Sequence, residues 1–248
     1  MSADLRLGDY REVLADVECD AVIADGPYSK RTQDGHDTAV AETRLAGEEK
    51  RMRVDKRNGN VYSVGVSRRR AINYAHWTPR NVRSFVDFWA PRCRGWLVCM
   101  SDHALCTAYE SAFKRHGLTT FAPVGILITG MTVRLSGDGP SSWMLYANVA
   151  RPKSHSKWGT LPGGYTGGPG ERVHIGGKPL WLLRALIRDY TKRGDLVCDP
   201  TAGAATTLIA AEIEGRRAVG AEIDPATHAI AMARMRAGFT STFDFGGA

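Results

Sequence analysis

The C-terminal part of the chain, from Lys178 onward, alternates between segments typical of helices and segments typical of buried strands. The helical segments are KPLWLLRALIRDYTKRG, TLIAAEIEG and PATHAIAMARMRAG, and the apolar runs between them are DLVCDP and RRAVGAEID. Strands that alternate with helices in this way join a mostly parallel sheet with helices on both faces. The sequence therefore predicts an α/β fold, and 248 residues suffice for one such domain with sizeable insertions.

Regular segments also occupy much of the remaining chain. LRLGDYREVLADVECDAVIADGPY indicates a strand, a short helix and a second strand, and GWLVCMSD, FAPVGILITG and SSWMLYANVA are typical of further strands. TPRNVRSFVDFWAPRC indicates a helix with Thr78 as N-cap and Pro79 at its first position. HALCTAYESAFKRHG indicates a second helix, ended by Gly117.

Two blocks, residues 31–75 and residues 151–177, lack clear periodicity. The first carries nine basic residues against three acidic ones between Arg44 and Arg70, in a chain whose net charge is +7. The second contains eight glycines and three prolines, a density typical of a flexible segment or of close backbone approach to a ligand. A long irregular insertion in a compact domain is usually functional or disordered.

The composition narrows the classes of partner and compartment. The positive charge favours a polyanion, although many basic proteins bind no nucleic acid, so charge alone leaves this open. No apolar run approaches the roughly 18 residues of a membrane span, and the N-terminus MSADLRLGDY has no apolar signal core. We expect a cytoplasmic protein without a disulfide framework or a metal site, because no CxxC spacing occurs among the five cysteines, which are Cys19, Cys93, Cys99, Cys106 and Cys198.

The segment LVCDPTAGAATT, residues 196–207, combines a buried strand, an acid, a turn of small residues and a helix start. Ligands of open α/β sheets bind beyond the strand ends, where small residues expose backbone amides at a helix N-terminus. Only Gly203 falls in the turn, and the Walker lysine is absent, which argues against a pyrophosphate or a nucleoside triphosphate. Glu222, at the end of the next strand, is placed for ribose hydroxyls, and Asp199 for a cationic group. These features favour S-adenosylmethionine, with another kind of nucleotide as the alternative.

The segment AVIADGPYSK, residues 21–30, ends an apolar strand on Asp25 and places Gly26, Pro27 and Tyr28 directly after it. Asp-Gly and Gly-Pro pairs are typical of ordinary turns, which is one interpretation. The other is a pocket in which a carboxylate and a flat ring hold a planar amine.

Together, ADGPY early in the chain and DPTAGAATT…GAEID late in it resemble the amino-methyltransferases of DNA. The order of these motifs resembles the β class, whose arrangement is circularly permuted. VHIGGKPLWLLRALI resembles the H…KP element of that class, which helps bind the cofactor, and LRLGDYREVL resembles its N-terminal GD segment. The resemblance covers essentially the whole chain except the two irregular blocks. It implies a single domain over residues 1–248 with the Rossmann-like fold of S-adenosylmethionine-dependent methyltransferases.

The resemblance also implies roles for the residues of these motifs. An exocyclic base amine is a poor nucleophile because its lone pair is delocalised into the ring. Asp25 and a backbone carbonyl of Gly26 or Pro27 would accept its N–H bonds, and Tyr28 would stack on the extruded base. Positioning and desolvated hydrogen bonds then supply most of the rate, without a metal. The implied cofactor-binding residues are Asp9, Asp25, His174, Lys178, Asp199, Thr201, Ala202, Gly203, Thr206, Thr207, Glu222 and Asp224.

Two motifs depart from the family pattern. The usual catalytic motif is D-P-P-Y or S-P-P-Y, and here Gly26 stands in place of the first proline. Glycine lacks the fixed φ of proline, so we expect a looser loop whose activity survives with reduced preorganisation. AGAAT replaces the usual AGSGT; Ala204 and Ala205 are small enough to fit, although a hydroxyl contact is lost.

Asp rather than Ser at position 25 favours adenine N6 as the target, with cytosine N4 as the alternative within the family. A DNA-binding module of the same fold that has lost turnover is a hypothesis of a different class. The resemblance implies double-stranded DNA as partner, a homodimer, and an orphan or phage-type enzyme of the bacterial cytoplasm. The two irregular blocks then become target-recognition elements, although residues 31–75 are also candidates for dimer contacts. The candidate DNA-binding residues are Lys30, Arg31, Arg51, Arg53, Lys56, Arg57, Arg68, Arg69, Arg70, Arg151, Lys153 and Lys157.

Overall fold

The computed structural model describes residues 3–32, 41–43, 49–55, 57–67, 75–130, 144–156, 159–170 and 177–237. Its strands and helices follow one another as β1 (Ala3–Leu7), α1 (Tyr10–Val13), β2 (Cys19–Asp25), β3 (Ala41–Thr43), β4 (Glu49–Val54), β5 (Val61–Ser67), α2 (Pro79–Trp89), β6 (Cys93–Ser101), α3 (His103–Arg115), β7 (Thr119–Thr120), β8 (Val124–Ile128), β9 (Met144–Arg151), β10 (Gly164–Gly167), α4 (Leu180–Tyr190), β11 (Leu196–Asp199), α5 (Thr206–Ile213), β12 (Arg217–Glu222) and α6 (Pro225–Ala237). The predicted alternation of strands and helices in the C-terminal part is confirmed.

The main sheet has nine strands in the order β1-β12-β11-β2-β6-β9-β8-β10, with β7 paired to β9. Strands β1, β12, β11, β2 and β6 are parallel to one another. Strand β9 is antiparallel to β6, β7 and β8, and β10 is parallel to β8. The predicted mostly parallel sheet is confirmed, and its order brings β2 beside β11, although the two strands are far apart in the sequence.

The carboxyl ends of the parallel strands meet at one edge of this sheet, which we call the carboxyl edge. It is formed by Asp25, Ser101, Asp199 and Glu222, the last residues of β2, β6, β11 and β12. In an open α/β sheet this is the edge at which ligands bind.

Helices cover both faces of the sheet because successive strand residues point to opposite sides. In β6, Trp96, Val98 and Met100 belong to the hydrophobic layer that includes side chains of α4, α5 and α6. Leu97 and Cys99 belong to the opposite layer, with side chains of α2 and α3. The predicted helices on both faces are confirmed, and no helix of the described residues is long and apolar enough to cross a membrane.

Residues 31–75 contain a small antiparallel sheet in the order β3-β5-β4, so the expectation of an irregular block is wrong for these strands. The turn between β4 and β5 is closed by the Asp55 N–H, which donates to the Asn60 carbonyl at 2.8 Å. Gly59 in this turn has a φ of 74°, a conformation that glycine adopts without strain. The pair Asn58-Gly59 is typical of a hairpin turn. The charged residues of β4, however, interrupt the alternation of apolar and polar residues by which a strand is predicted.

The glycine-rich block, residues 151–177, contributes β10 to the edge of the main sheet beside β8. A Cβ on Gly167 would lie 2.5 Å from the indole ring of Trp181, which belongs to α4. The glycine density was expected to mark a flexible segment or a close approach of the backbone to a ligand. At Gly167 the group close to the backbone is a side chain of the protein.

Candidate active site

The carboxyl edge brings together acids that the sequence assigns to two separate motifs. Strand β11 lies between β2 and β12, so Asp199 lies between Asp25 and Glu222. The predicted catalytic and cofactor motifs therefore meet at the same edge of the sheet. Among the described residues, no group of three or more His, Cys, Asp or Glu side chains is arranged to hold a metal ion.

Both oxygens of the Asp25 carboxylate accept hydrogen bonds from side chains. The Lys178 Nζ lies 2.5 Å from Oδ2, and the Tyr28 hydroxyl donates to Oδ1 at 3.1 Å. The Lys178 ammonium also lies 4.9 Å from the centre of the Tyr28 ring. The carboxylate and the lysine are both largely enclosed, with side chains 20% and 10% exposed, respectively. The lysine of the H…KP element thus contacts the predicted catalytic residues directly.

The segment that follows Tyr28 is held by Asp102, a buried residue that the sequence analysis missed. Asp102 lies directly after β6 and its Oδ2 accepts from the Ser29 N–H at 3.1 Å, the Ser29 hydroxyl at 2.6 Å and the Thr32 hydroxyl at 2.5 Å. Its Oδ1 accepts from the Ala104 N–H at 3.2 Å and caps α3. The signal in the sequence was an acidic residue directly after a buried apolar strand, which is typical of a site residue. The same pattern is equally typical of a helix N-cap, so it did not single out Asp102.

Asp199 is a buried carboxyl group directly before residues 200–205, the predicted cofactor turn between β11 and α5. It accepts from the Thr201 N–H at 3.0 Å and from the Thr201 hydroxyl at 3.4 Å. Burial raises the pKa of Asp199 to about 7, against the effect of hydrogen bonds from Thr207 and Thr201. The negative charges of Asp25 and Glu222 raise this pKa further. A carboxyl group in this environment favours a cationic ligand group, which would stabilise its ionised form.

Glu222 links the cofactor turn to the start of the last helix. Its Oε2 accepts from the Gly203 N–H at 2.9 Å and its Oε1 from the Asp224 N–H at 2.8 Å. Asp224 in turn accepts from the Thr227 N–H at 2.8 Å. Both oxygens of Glu222 are therefore fixed in orientation by backbone donors at the carboxyl edge.

The turn between β11 and α5 shows the structural consequence of AGAAT. Ala205 adopts a φ of 61° and is fully buried, so a non-glycine residue occupies a left-handed conformation where the family pattern has glycine. The guanidinium of Arg234, from α6, donates to the Ala204 carbonyl and to the Thr206 hydroxyl. Ala202 is buried in the same turn. The fit of Ala204 and Ala205 beside the cofactor stays a prediction, and the backbone of Ala205 is strained.

Asp9 reaches the same edge through the pairing of β1 with β12. The Gly8 N–H donates to the Glu222 carbonyl at 2.9 Å, which places Asp9 next to that strand end. Asp9 caps α1 by accepting from the Arg11 N–H at 2.9 Å, and hydrogen bonds from the Arg11 guanidinium lower the pKa of Asp9.

The predicted DNA-binding residues fall in different parts of the structure. Lys30 and Arg31 are exposed directly after residues 25–29, which carry the predicted catalytic residues and are called the catalytic segment below. Arg31 lies 3.0 Å from a ring nitrogen of His103. Arg51 and Arg53 lie on β4, and Arg57 is exposed in the turn that follows it. Six further predicted site residues lie outside the described residues, namely Lys56, Arg68, Arg69, Arg70, Lys157 and His174.

Arg151 and Lys153 lie at the edge of the sheet opposite Asp25. Strand β9 is antiparallel to β6, and its end near Arg151 pairs with the beginning of β6. The Arg151 guanidinium lies 5.6 Å from the centre of the Trp96 ring and 5.7 Å from that of Phe121. The structure therefore does not bring these two basic residues together with the catalytic segment.

The sequence profile of a family described as DNA methylase, the N6/N4 methyltransferases, matches residues 28–233. The chain belongs to this family. A curated relative, the type II methyltransferase M.HindIII of Haemophilus influenzae, is 40% identical over 62 residues, which are 25% of this chain. The matched stretch spans only 20% of the length of that relative.

Solved structures of DNA methyltransferases share the fold over nearly the whole chain. The M1.HpyAVI complex with S-adenosylmethionine superposes with a TM-score of 0.67 at 16% identity, covering 94% of this chain and 98% of that one. The cytosine-N4-specific PvuII DNA methyltransferase superposes with a TM-score of 0.62 at 13% identity, covering 94% and 86%. At these identities the likeness establishes the methyltransferase fold of this family member, with no distinction between the two target bases.

Proposed function

We propose that this N6/N4 DNA methylase transfers a methyl group from S-adenosylmethionine to the exocyclic N6 of adenine in double-stranded DNA. The observation that carries the proposal is the shared carboxyl edge. There Asp25, with Tyr28 in hydrogen-bond contact, lies beside the cofactor acids Asp199 and Glu222. An acceptor for an amine, a ring for a base and a ribose acceptor at one edge of the sheet support methyl transfer from a ribose-bearing cofactor to the exocyclic amine of a base.

The residues of the second motif fit the cofactor. Glu222, oriented by the Gly203 and Asp224 amides, is placed to accept from ribose hydroxyls. Asp199 lies deeper and would hold a cationic group of the cofactor. The turn and helix start that follow Asp199 are formed by Thr201, Ala202, Gly203, Thr206 and Thr207. Asp9 and Asp224 lie near Glu222 at the end of β12. When bound, S-adenosylmethionine supplies an electrophilic methyl group.

Asp25 would accept one N–H of the target amine, and a carbonyl of Gly26 or Pro27 the other, which localises the nitrogen lone pair toward the methyl group. Tyr28 would stack on the flipped base. Methyl transfer would leave one proton to be released from the nitrogen, and the Asp25 carboxylate, which would already accept that N–H, would take it up. Positioning and desolvation supply most of the rate, so a small displacement of Asp25 has a large effect.

Adenine is favoured over cytosine by Asp at position 25, within a family whose members act on either base. Cytosine N4 remains the second candidate because the PvuII enzyme, which is cytosine-N4-specific, shares the fold. A member of the fold that binds DNA without turnover is the third candidate. It is disfavoured because the contacts of Asp25, Asp199 and Glu222 are all in place.

For DNA binding we propose contacts from Lys30 and Arg31, which directly follow the catalytic segment, and from the basic insertion, residues 31–75. Arg151 and Lys153 are left out because of their place at the opposite edge. The homodimer stays a prediction, and so does the cytoplasmic location, which a DNA substrate favours.

The proposal is tested by expressing the protein in a bacterial host free of DNA methylation and sequencing the host DNA for modified bases. N6-methyladenine in one sequence context supports the proposal and gives the recognition site. N4-methylcytosine corrects the base and keeps the mechanism. Unmodified DNA, from protein that binds S-adenosylmethionine, would overturn the proposed activity in favour of the DNA-binding module.

A further inference from the structure

The indole ring of Trp77 packs directly on the backbone of Gly26. A Cβ on Gly26 would lie 3.0 Å from both Cη2 and Cζ3 of Trp77, closer than carbon atoms normally pack, and 3.4 Å from Cζ2. Gly26 is buried. The position that departs from the family's proline is thus one where any side chain would require the indole or the backbone to shift by a few tenths of an ångström.

Trp77 is itself held to the catalytic segment and to the core. Its backbone N–H donates to the Tyr28 carbonyl at 2.9 Å, and it forms a bridge with Ser29. Its ring lies 5.1 Å from that of Phe85, which is fully buried in α2. The next residue, Thr78, is the N-cap of α2. The indole therefore contacts both Gly26 and Phe85, while the backbone of Trp77 is hydrogen-bonded to the segment that holds Tyr28.

These contacts bear on the expectation that Gly26 loosens the catalytic segment. Proline restricts a loop covalently by fixing φ, whereas a packed ring and a backbone hydrogen bond restrict it through tertiary contacts. Here one residue supplies both contacts, to Gly26 and to Tyr28, on either side of Pro27.

We propose that Trp77 is a positioning residue that takes over the role of the missing proline, and that Gly26 is the residue required to accommodate it. Trp77 acts through the backbone of the segment that holds Asp25 and Tyr28. Gly26 is then one half of a packed pair rather than a lesion. The inference rests on the proposed function for its kinetic consequence, and on the geometry alone for the coupling between the two residues.

The test is a double-mutant cycle with Gly26→Ala, Trp77→Leu and the combined variant. Gly26→Ala pushes the indole and the segment apart, and Trp77→Leu removes the packing. We expect each to lower kcat for DNA methylation at least about 10-fold, since small misplacements of catalytic groups are costly. The Kd for S-adenosylmethionine should be unchanged. In the combined variant the added methyl group fills space left by the indole, so kcat should be no lower than in Trp77→Leu.

Two further variants separate positioning from general damage. Gly125→Ala is the matched glycine control, since a Cβ there meets only the Met144 sulfur at an ordinary 3.5 Å, and it should retain wild-type kcat. Trp77→Phe keeps an aromatic ring beside Gly26 and should retain more activity than Trp77→Leu.

Independent effects on kcat that multiply in the combined variant would overturn the proposal, as would full activity of Trp77→Leu. If the wild-type protein transfers no methyl group, the proposed function fails instead. The melting temperatures of the wild type, Gly26→Ala, Trp77→Leu and the combined variant then test whether the two residues are coupled. Non-additive losses of melting temperature support the coupled pair, and additive losses contradict it.

Discussion

The Lys178 ammonium lies 2.5 Å from Oδ2 of Asp25, the residue whose carboxylate the proposed mechanism offers to the target amine. It also lies 4.9 Å from the centre of the Tyr28 ring, on which the base would stack. In the free protein a side-chain amine therefore occupies part of the place assigned to the amine of the base. The amine of an entering base would have to share the carboxylate with Lys178 and Tyr28 or displace one of them.

The Lys178–Asp25 pair should stabilise the free protein measurably. Lys178→Met leaves a largely enclosed carboxylate without its cationic partner, and we expect a loss of about 1–3 kcal/mol in the free energy of unfolding. Asp25→Asn together with Lys178→Met should cost less than the two changes added separately. Urea denaturation of the four proteins measures this coupling.

A matched exposed pair provides the control for that measurement. The Lys114 Nζ lies 2.5 Å from Glu110, also in an ion pair, but both side chains are largely exposed. Lys114→Met should change the free energy of unfolding by no more than about 0.5 kcal/mol. Equal losses in Lys114→Met and Lys178→Met would show that enclosure of the Asp25 pair contributes nothing.

Asp199 should make stability depend on pH between about 4 and 7. Its pKa is about 7 in the folded protein and 3.8 for an ordinary aspartic acid, so the unfolded chain loses this proton first as pH rises. The free energy of unfolding therefore falls across this window by up to about 4 kcal/mol, and above it Asp199 no longer makes stability depend on pH. Asp199→Asn should remove that part of the slope. Parallel stability curves for the two proteins from pH 4.5 to pH 7.5 would contradict the raised pKa.

Ala205→Gly should stabilise the protein. The left-handed backbone at Ala205 costs roughly 1–2 kcal/mol for a residue with a Cβ, and glycine avoids this cost. Glycine also loses more conformational entropy on folding than alanine, which offsets about 0.5–1 kcal/mol of the gain. A net gain of up to about 1 kcal/mol is expected in urea denaturation. Ala229→Gly, at an exposed position within α6, should instead cost about 1 kcal/mol. A loss of stability in Ala205→Gly would contradict the strained turn.

Asp102→Ala should both destabilise the protein and slow methyl transfer. It leaves the buried Ser29 donors without their acceptor and uncaps α3, for which we expect about 2–4 kcal/mol. Ser29→Ala keeps the carboxylate bonded to Thr32 and Ala104 and should cost about 1 kcal/mol. Melting curves and kcat are measured on both variants. Wild-type kcat in Asp102→Ala would show that Asp102 supports the fold without positioning the catalytic segment.

The placement of the two motifs was predictable because it depends only on strand direction. Asp25, Asp199 and Glu222 each end an apolar run, and parallel neighbouring strands bring such ends to one edge. The regular segments of the core were predictable for a similar reason, since their periodicity is local. The small sheet of β3, β4 and β5 was missed because charged side chains interrupt the apolar alternation of β4, and Gly65 weakens the strand pattern of β5.

The contacts that support the catalytic segment were not predictable from local sequence. Asp102, which follows β6, accepts a hydrogen bond from Ser29, which follows β2. Trp77 packs on Gly26 only because the chain returns to the end of β2 after the insertion. The left-handed conformation of Ala205 likewise contradicts the preference of alanine and is set by the turn it occupies. Tertiary structure decides each of these positions.

The most direct test of the account is the methylated nucleoside that the purified protein produces. DNA from a methylation-free host is incubated with S-adenosylmethionine and digested, and the nucleosides are identified by mass spectrometry. Binding of S-adenosylmethionine to the wild type, Asp25→Ala and Glu222→Ala is measured in parallel. The account predicts N6-methyldeoxyadenosine from the wild type and none from Asp25→Ala, which still binds the cofactor, while Glu222→Ala binds it weakly. Undiminished methylation by Asp25→Ala, or no methylated base from wild-type protein with bound cofactor, would contradict it.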